Sequence, residues 1–173
     1  MSKVIKCNLS VIDLGRAINE LKAYENELND KLQRLVDELM KEGVTVAQAR
    51  LGATIGDSTN AGISYGVNSS GDIISAYISL DGPDALFIEF GAGIAYNTGM
   101  QHPDAAELGY GPGTYPSKHP PNKAIIPGRW IYGHNDDGSP KWSIGTQASM
   151  PIYNAAETVR NNAIRKALEI FRS

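Results

Sequence analysis

Seven aliphatic residues near the start of the chain, Leu14, Ile18, Leu21, Leu28, Leu32, Leu35 and Leu39, recur at spacings of three, four and seven. That period places them on one face of an α-helix. The opposite face carries Glu20, Lys22, Glu27, Asp30, Lys31, Arg34, Asp37 and Lys41, a solvated surface of mixed sign. Ser10 or Asp13 can cap the start by accepting an orphan backbone N–H, and Gly43 offers a left-handed end. A helix of about 28 residues runs roughly 42 Å at 1.5 Å per residue. An element that long either spans the whole body of a small domain or reaches a neighbour. Thr45 and Gln48 then suggest a capping box that opens a further short helix, ended by Gly52.

Ahead of the helix, Ile5, Cys7, Leu9 and Val11 alternate with Lys6, Asn8 and Ser10, which predicts a half-buried strand and an inert structural thiol at Cys7. Residues 55–144 have the pattern of strand and loop. Segments 62–67 and 72–80 flank Asn68-Ser69-Ser70-Gly71, a four-residue hairpin turn. In the second strand Ile74, Ala76, Ile78 and Leu80 share a face. Residues 84–90 are ambiguous: Asp84 can cap a short helix, while Leu86, Ile88 and Phe90 also alternate as a strand would. From 91 to 129 lie seven glycines, six prolines and two of the three histidines. Loops of that length are usually functional, and this composition suits a segment that orders against another chain. Segments 130–134 and 141–144 form a second hairpin with a polar tip. Ser149 can cap a last helix with Pro151 in its first turn, and Ile152, Ala156, Val159, Ala163, Ala167 and Ile170 line its apolar face beside Ala155, Ile164, Leu168 and Phe171. Two helices around antiparallel hairpins predict an α+β fold, a small antiparallel sheet packed against both helices, in one domain spanning 1–173.

The chain's 173 residues and net charge of −3 argue against a dedicated nucleic-acid binder, since no basic run accompanies them. No apolar stretch is long enough to span a bilayer, and residues 1–10 lack the pattern of a signal peptide. A single cysteine excludes an internal disulfide, so a reducing compartment, or a particle assembled there, is expected.

Catalytic constellations are sparse. His102, His119 and His134 have no metal-ligand spacing. Glu89 stands among Phe87, Ile88 and Phe90, where an ionised carboxylate needs partners. No second carboxylate or histidine is visibly paired with it, and a structural role at the foot of the loop is expected. No serine sits in a nucleophile elbow, and the glycine clusters at 91–93 and 109–113 lack the lysine of a phosphate loop.

The order of these pieces is more specific than any one of them. A long helix ends at Leu39-Met40-Lys41-Glu42-Gly43. A hairpin follows, then Leu86-Phe87-Ile88-Glu89-Phe90-Gly91-Ala92-Gly93, a glycine-rich loop, Trp130-Ile131-Tyr132, and Ser149-Met150-Pro151-Ile152-Tyr153 opening a final helix. Over about residues 3 to 171 this succession resembles the neck and tail-completion proteins of long-tailed bacteriophages. The core Phe87, Ile88, Glu89, Phe90 and Gly91 is its most specific part. Ala92 departs from it, threonine being common there, and the loop is longer than the family minimum.

The resemblance implies a non-enzymatic virion protein without cofactors, assembled in the host cytoplasm. It would be a homo-oligomeric ring at the head–tail junction, of six copies by analogy with the tail's symmetry, or twelve near the head. The ring would contact a head-completion protein on one side and a tail terminator or tail tube protein on the other, and DNA would cross its lumen. Mild acidity suits such a channel, because dense Lys and Arg would grip phosphates. Tyr96, Tyr110, Tyr115 and Trp130, with Lys31 and Arg34 on the first helix, are the candidate interface residues. Two other readings stay open: a carbohydrate- or ligand-binding module using the Tyr/Trp-rich loop, and a small hydrolase using Glu89, His102 or His119.

Overall fold

The leucine stripe belongs to one continuous helix, α1 (Val11–Gly52), of 42 residues. The computed structural model describes residues 5–6, 10–71, 73–93, 101–111 and 129–172, with the backbone alone at Trp130 and Tyr132. Ser10 is the N-cap: its hydroxyl accepts the Asp13 backbone N–H at 3.1 Å and donates to the Asp13 carboxylate at 2.8 Å.

Three expectations about this region are corrected. Val11 opens α1 and is exposed, and Ile5 and Lys6 have no regular structure, so the alternation does not continue as a strand to Val11. Cys7 and Leu9 lie outside the described residues. Gly43 does not end the helix. It is buried inside α1, where a Cβ would meet Ile78 Cδ1 at 2.7 Å and Val159 Cγ2 at 3.0 Å, so its missing side chain permits close packing. Thr45 is not a cap either, because its hydroxyl donates to the Lys41 carbonyl at 2.7 Å, a bond to the preceding turn that leaves the helix unbroken.

Strands β1 (Gly62–Ser70) and β2 (Ile73–Asp81) pair antiparallel. Ser70 faces Ile73, so the turn is two residues long rather than four, and Asn68, Ser69 and Ser70 continue the ladder. Gly71, at φ 59°, supplies the left-handed conformation that such a tight turn demands. Ile74, Ile78 and Leu80 are half-buried on the face that meets α1. The ambiguous stretch is a helix, α2 (Ala85–Phe90). Asp84 precedes it without capping it, because its carboxylate instead accepts the N–H groups of Thr59 and Asn60, at 3.0 and 2.9 Å. A single-turn helix, α3 (Ala105–Leu108), follows. The second hairpin is β3 (Trp130–His134) with β4 (Pro140–Ser143), and the last helix is α4 (Pro151–Arg172).

Among the described residues the hairpins form two separate two-stranded sheets, and the architecture is α+β. Helices α1 and α4 run antiparallel, since Gly43 lies against Val159 while Glu38 reaches Lys166. Lys166 Nζ sits 3.1 Å from Glu38 Oε2 and 3.0 Å from Glu42 Oε1, and Asn162 also donates to Glu42. The Lys166 hydrogen bonds are the main reason that both carboxyls sit below their usual range, with Arg34 a further cause at Glu38. Reciprocally, Glu42 and then Glu38 hold the ammonium above its usual value. Ala47, Ile88, Phe90, Ala92, Ala105, Met150, Ala155 and Ile170 form the buried apolar core. On α4 the buried positions are Pro151, Ala155 and Ile170, whereas Ala156, expected on the apolar face, and Ile164 and Leu168, expected beside it, are exposed. Val159 and Ala163 are half-buried between these extremes, so the true stripe is narrower than the sequence suggests.

Candidate functional site

The start of α4 sets the problem that the site solves. A helix N-terminus leaves backbone N–H groups without partners, and its dipole favours a negative charge there. Pro151 has no N–H to satisfy. Ser149, expected as the cap, lies one residue too early: its N–H donates to the Ile88 carbonyl at 3.0 Å, and its hydroxyl bonds Thr54 Oγ1 at 3.0 Å. Met150, at the capping position, takes φ 53° and has no side-chain acceptor suited to the task.

Glu89 supplies the cap from α2. Its Oε2 accepts the N–H of Ile152 at 2.9 Å and its Oε1 accepts that of Tyr153 at 2.8 Å. Glu89 is buried, and the expectation that it accepts backbone hydrogen bonds at the foot of the loop describes this geometry. The absence of a histidine partner, however, is corrected. His102 is buried with its Nε2 at 3.4 Å from Glu89 Oε1. Its Nδ1 accepts the Asp104 backbone N–H at 3.1 Å, which leaves the ring proton on Nε2, facing the carboxylate. The imidazole packs on Phe90 with ring centroids 4.5 Å apart and sets its edge to Tyr153 at 4.9 Å. Tyr110 covers Phe90 from another side at 4.9 Å. The carboxylate therefore lies beneath an aromatic roof built from α2, the loop and α4.

Below it, Thr146 joins three segments. Thr146 exchanges backbone hydrogen bonds with Ala92 at 2.8 and 2.9 Å, and its hydroxyl accepts the Ser58 N–H at 3.0 Å. Gly56 bridges its other side. Gly145 makes this crossing possible: at φ 92°, a Cβ there would fall 2.1 Å from the Ala92 carbonyl oxygen.

The other expected residues are distributed as follows. Phe87 is half-buried, and Ile88, Phe90 and Gly91 are buried around Glu89. Tyr110 joins the site. Trp130 pairs with Ser143 through the β3–β4 ladder. Lys31 and Arg34 form ion pairs along α1 with Glu27 and Glu38, at 3.1 and 3.0 Å. His134 is on the exposed end of β3. Tyr96, Tyr115 and His119 lie outside the described residues, as does most of the 91–129 loop.

The sequence assigns no role to Thr146 or Gly145, and Met150 enters only in the run that opens the last helix. A lone threonine in an irregular segment carries no periodic signal, and the pairing of Glu89 with His102 spans a stretch without one. Among the described residues no cluster of three His, Cys, Asp or Glu side chains is placed to hold a metal, and every buried side-chain nitrogen or oxygen has a hydrogen-bond partner. No helix among them is long and apolar enough to cross a membrane. Both Glu89 oxygens accept N–H groups of α4, and the arrangement ties α2, the base of the loop and the last helix into one joint. No family model, curated protein or solved structure matches this chain.

Proposed function

We propose that the chain is a structural protein of a long-tailed bacteriophage. Copies of it form a ring at the head–tail junction, joining the head-completion protein to the tail terminator and leaving a passage for DNA. The Glu89 joint is the observation that carries this reading. The most specific part of the neck and tail-completion resemblance, residues 87–91, and the run that opens the final helix, residues 149–153, make one hydrogen-bonded unit in space. Such a joint supports a scaffold role, because it gives the 91–129 loop a rigid base from which to meet a partner. The net charge of −3 favours a lumen along which DNA slides rather than one that grips it.

Electron microscopy of particles made without the gene tests the reading. DNA-filled heads beside complete, unattached tails are expected, and added purified protein should restore joining in proportion to the rings formed. Fully joined, infectious particles in the absence of the gene would overturn it.

A further inference from the structure

Among the described residues, the register of α1 against α4 leaves much of α1 without a partner helix. With Glu38 opposite Lys166, the last residue of α4, Arg172, falls beside roughly residue 32 of α1. Residues 11–30 therefore project beyond α4 as an arm of roughly 30 Å. Its apolar stripe stays in water: Leu14 is 42%, Ile18 53%, Leu21 55% and Leu28 37% exposed. Together with Val11, Leu32, Leu35 and Leu39 these residues alternate spacings of three and four, with Glu25 the one polar interruption. A sustained period of 3.5 is the seam of a helix–helix pair. The inner part of this seam already packs on α4, and the outer part is the same seam without its helix.

A complementary face exists on the far side of α4. Ile164, at 75% exposed, and Leu168, at 45%, stand one turn apart in a shallow groove flanked by Arg172 and by the Arg165–Glu169 ion pair. The arm carries five acidic and two basic residues, while α4, apart from Lys166, which faces α1, carries three basic and two acidic ones, with Arg165 paired to Glu169 and Arg160 to Glu157. An apolar pair spaced four residues apart, like Leu14 and Ile18 on the arm, and net charges of opposite sign favour a specific helix pair. Because α1 is one unbroken helix, its own arm points away from its own α4. Two arms against each other would set one acid-rich helix on another, and a parallel pair would stack Glu25 on Glu25.

We propose that the arm of one copy, residues 11–30, docks on the outer face of α4 of the next copy through Ile164 and Leu168. The inference rests on the ring reading and names the contact that builds the ring. The contact is heterologous: each subunit offers an arm and, on a different face, a groove, and repetition closes a ring or runs on as a filament.

Sedimentation velocity on the full chain, over a wide concentration range, tests it with two variants. Leu21→Asp breaks the arm and Ile164→Asp breaks the groove, and far-UV circular dichroism checks that each folds. Leu21→Ser and Ile164→Ser serve where an aspartate unfolds the chain. Wild type should assemble beyond a dimer, and each variant alone should be monomeric. An equimolar mixture should give a 1:1 pair and nothing larger, since only one intact arm and one intact groove remain. Assembly of the groove variant on its own would place arm against arm and overturn the proposal. Rings that survive both changes would refute this contact while leaving the ring reading intact. A wild type that stays monomeric throughout would also refute it, because the arm would then be covered within its own chain; the joining role would still be judged by microscopy.

Discussion

The Glu89 carboxylate accepts the backbone N–H of Tyr153 at 2.8 Å across 64 positions of sequence, and its second oxygen takes the N–H of Ile152. Hydrogen bonds from backbone to a charged acceptor contribute about 1.5–3 kcal/mol each, and orphaning buried donors adds to the loss. Glu89→Ala should therefore destabilise the fold by about 3 kcal/mol or more, lowering Tm by many degrees. Glu89→Gln keeps one acceptor oxygen and should fall between the two. Thermal melts followed by circular dichroism decide the matter, and an unchanged Tm for Glu89→Ala would mean that α4 is started by something else.

Phe90 and Leu86 share α2 yet face different surroundings. Phe90 is 8% exposed and contacts the His102 and Tyr110 rings, whereas Leu86 is 45% exposed. Truncating a buried phenylalanine costs about 3–5 kcal/mol. Phe90→Ala should thus lower the denaturant midpoint strongly, with Leu86→Ala close to wild type. Equal midpoints for the two variants would contradict the placement of the core.

The helices were legible because periodicity reports burial directly. The α1 stripe and the two hairpins all follow from patterns a few residues long. Their limits were less legible, for definite reasons. Gly43 resembles a terminator by composition, but its missing Cβ is used against Ile78 and Val159, which no local pattern reveals. Ser149 resembles a cap, yet the cap arrives from Glu89, because the α4 start is buried against α2. The apolar stripe on α4 is narrower than the sequence pattern, since Ile164 and Leu168 continue that pattern while exposed, with nothing among the described residues to cover them. At the site, Glu89 could be singled out from its apolar neighbours. Its contact with His102 could not, because the intervening stretch has no regular period to fix the path of the chain.

Gly43 and Gly145 are both crowded, and they should respond differently to alanine. At Gly43 the new methyl meets Ile78 Cδ1 and Val159 Cγ2, side-chain ends that can shift, and a helix interior gains about 1 kcal/mol when alanine replaces glycine. Gly43→Ala should stay within about 1 kcal/mol of wild type, while Gly43→Leu should overpack and cost about 1–3 kcal/mol or more. At Gly145 the methyl meets the Ala92 carbonyl oxygen and the backbone is left-handed. Neither can be relieved by a rotamer change, so Gly145→Ala should prevent cooperative folding. Urea titrations compare them, and a stable Gly145→Ala would show that the crossing at Thr146 is looser than its geometry indicates.

Lys166 ties α4 to α1 through two carboxylates, and its charge gives that contact a defined dependence on pH. Glu38 and Glu42 sit below the usual 4.5, chiefly because Lys166 hydrogen-bonds their ionised forms. Their contribution is complete above 4.5 and is lost as pH falls through the lowered folded values. Lys166 is raised above the usual 10.5 by Glu42 and Glu38, so its contribution is complete below 10.5 and is lost as pH climbs through the raised value. Stability from this contact should be flat between about pH 5 and 10 and fall on either side. Lys166→Met removes the cation and leaves two carboxylates one helical turn apart, which repel when ionised. The Tm difference between wild type and Lys166→Met should accordingly be widest on the plateau and shrink as the pH drops below 4.5, where protonation removes the attraction in one protein and the repulsion in the other. Melts at matched ionic strength across the range measure it. A difference that stays constant from neutral to strongly acidic pH would mean that Lys166 stabilises the helix pair through its methylene stem alone.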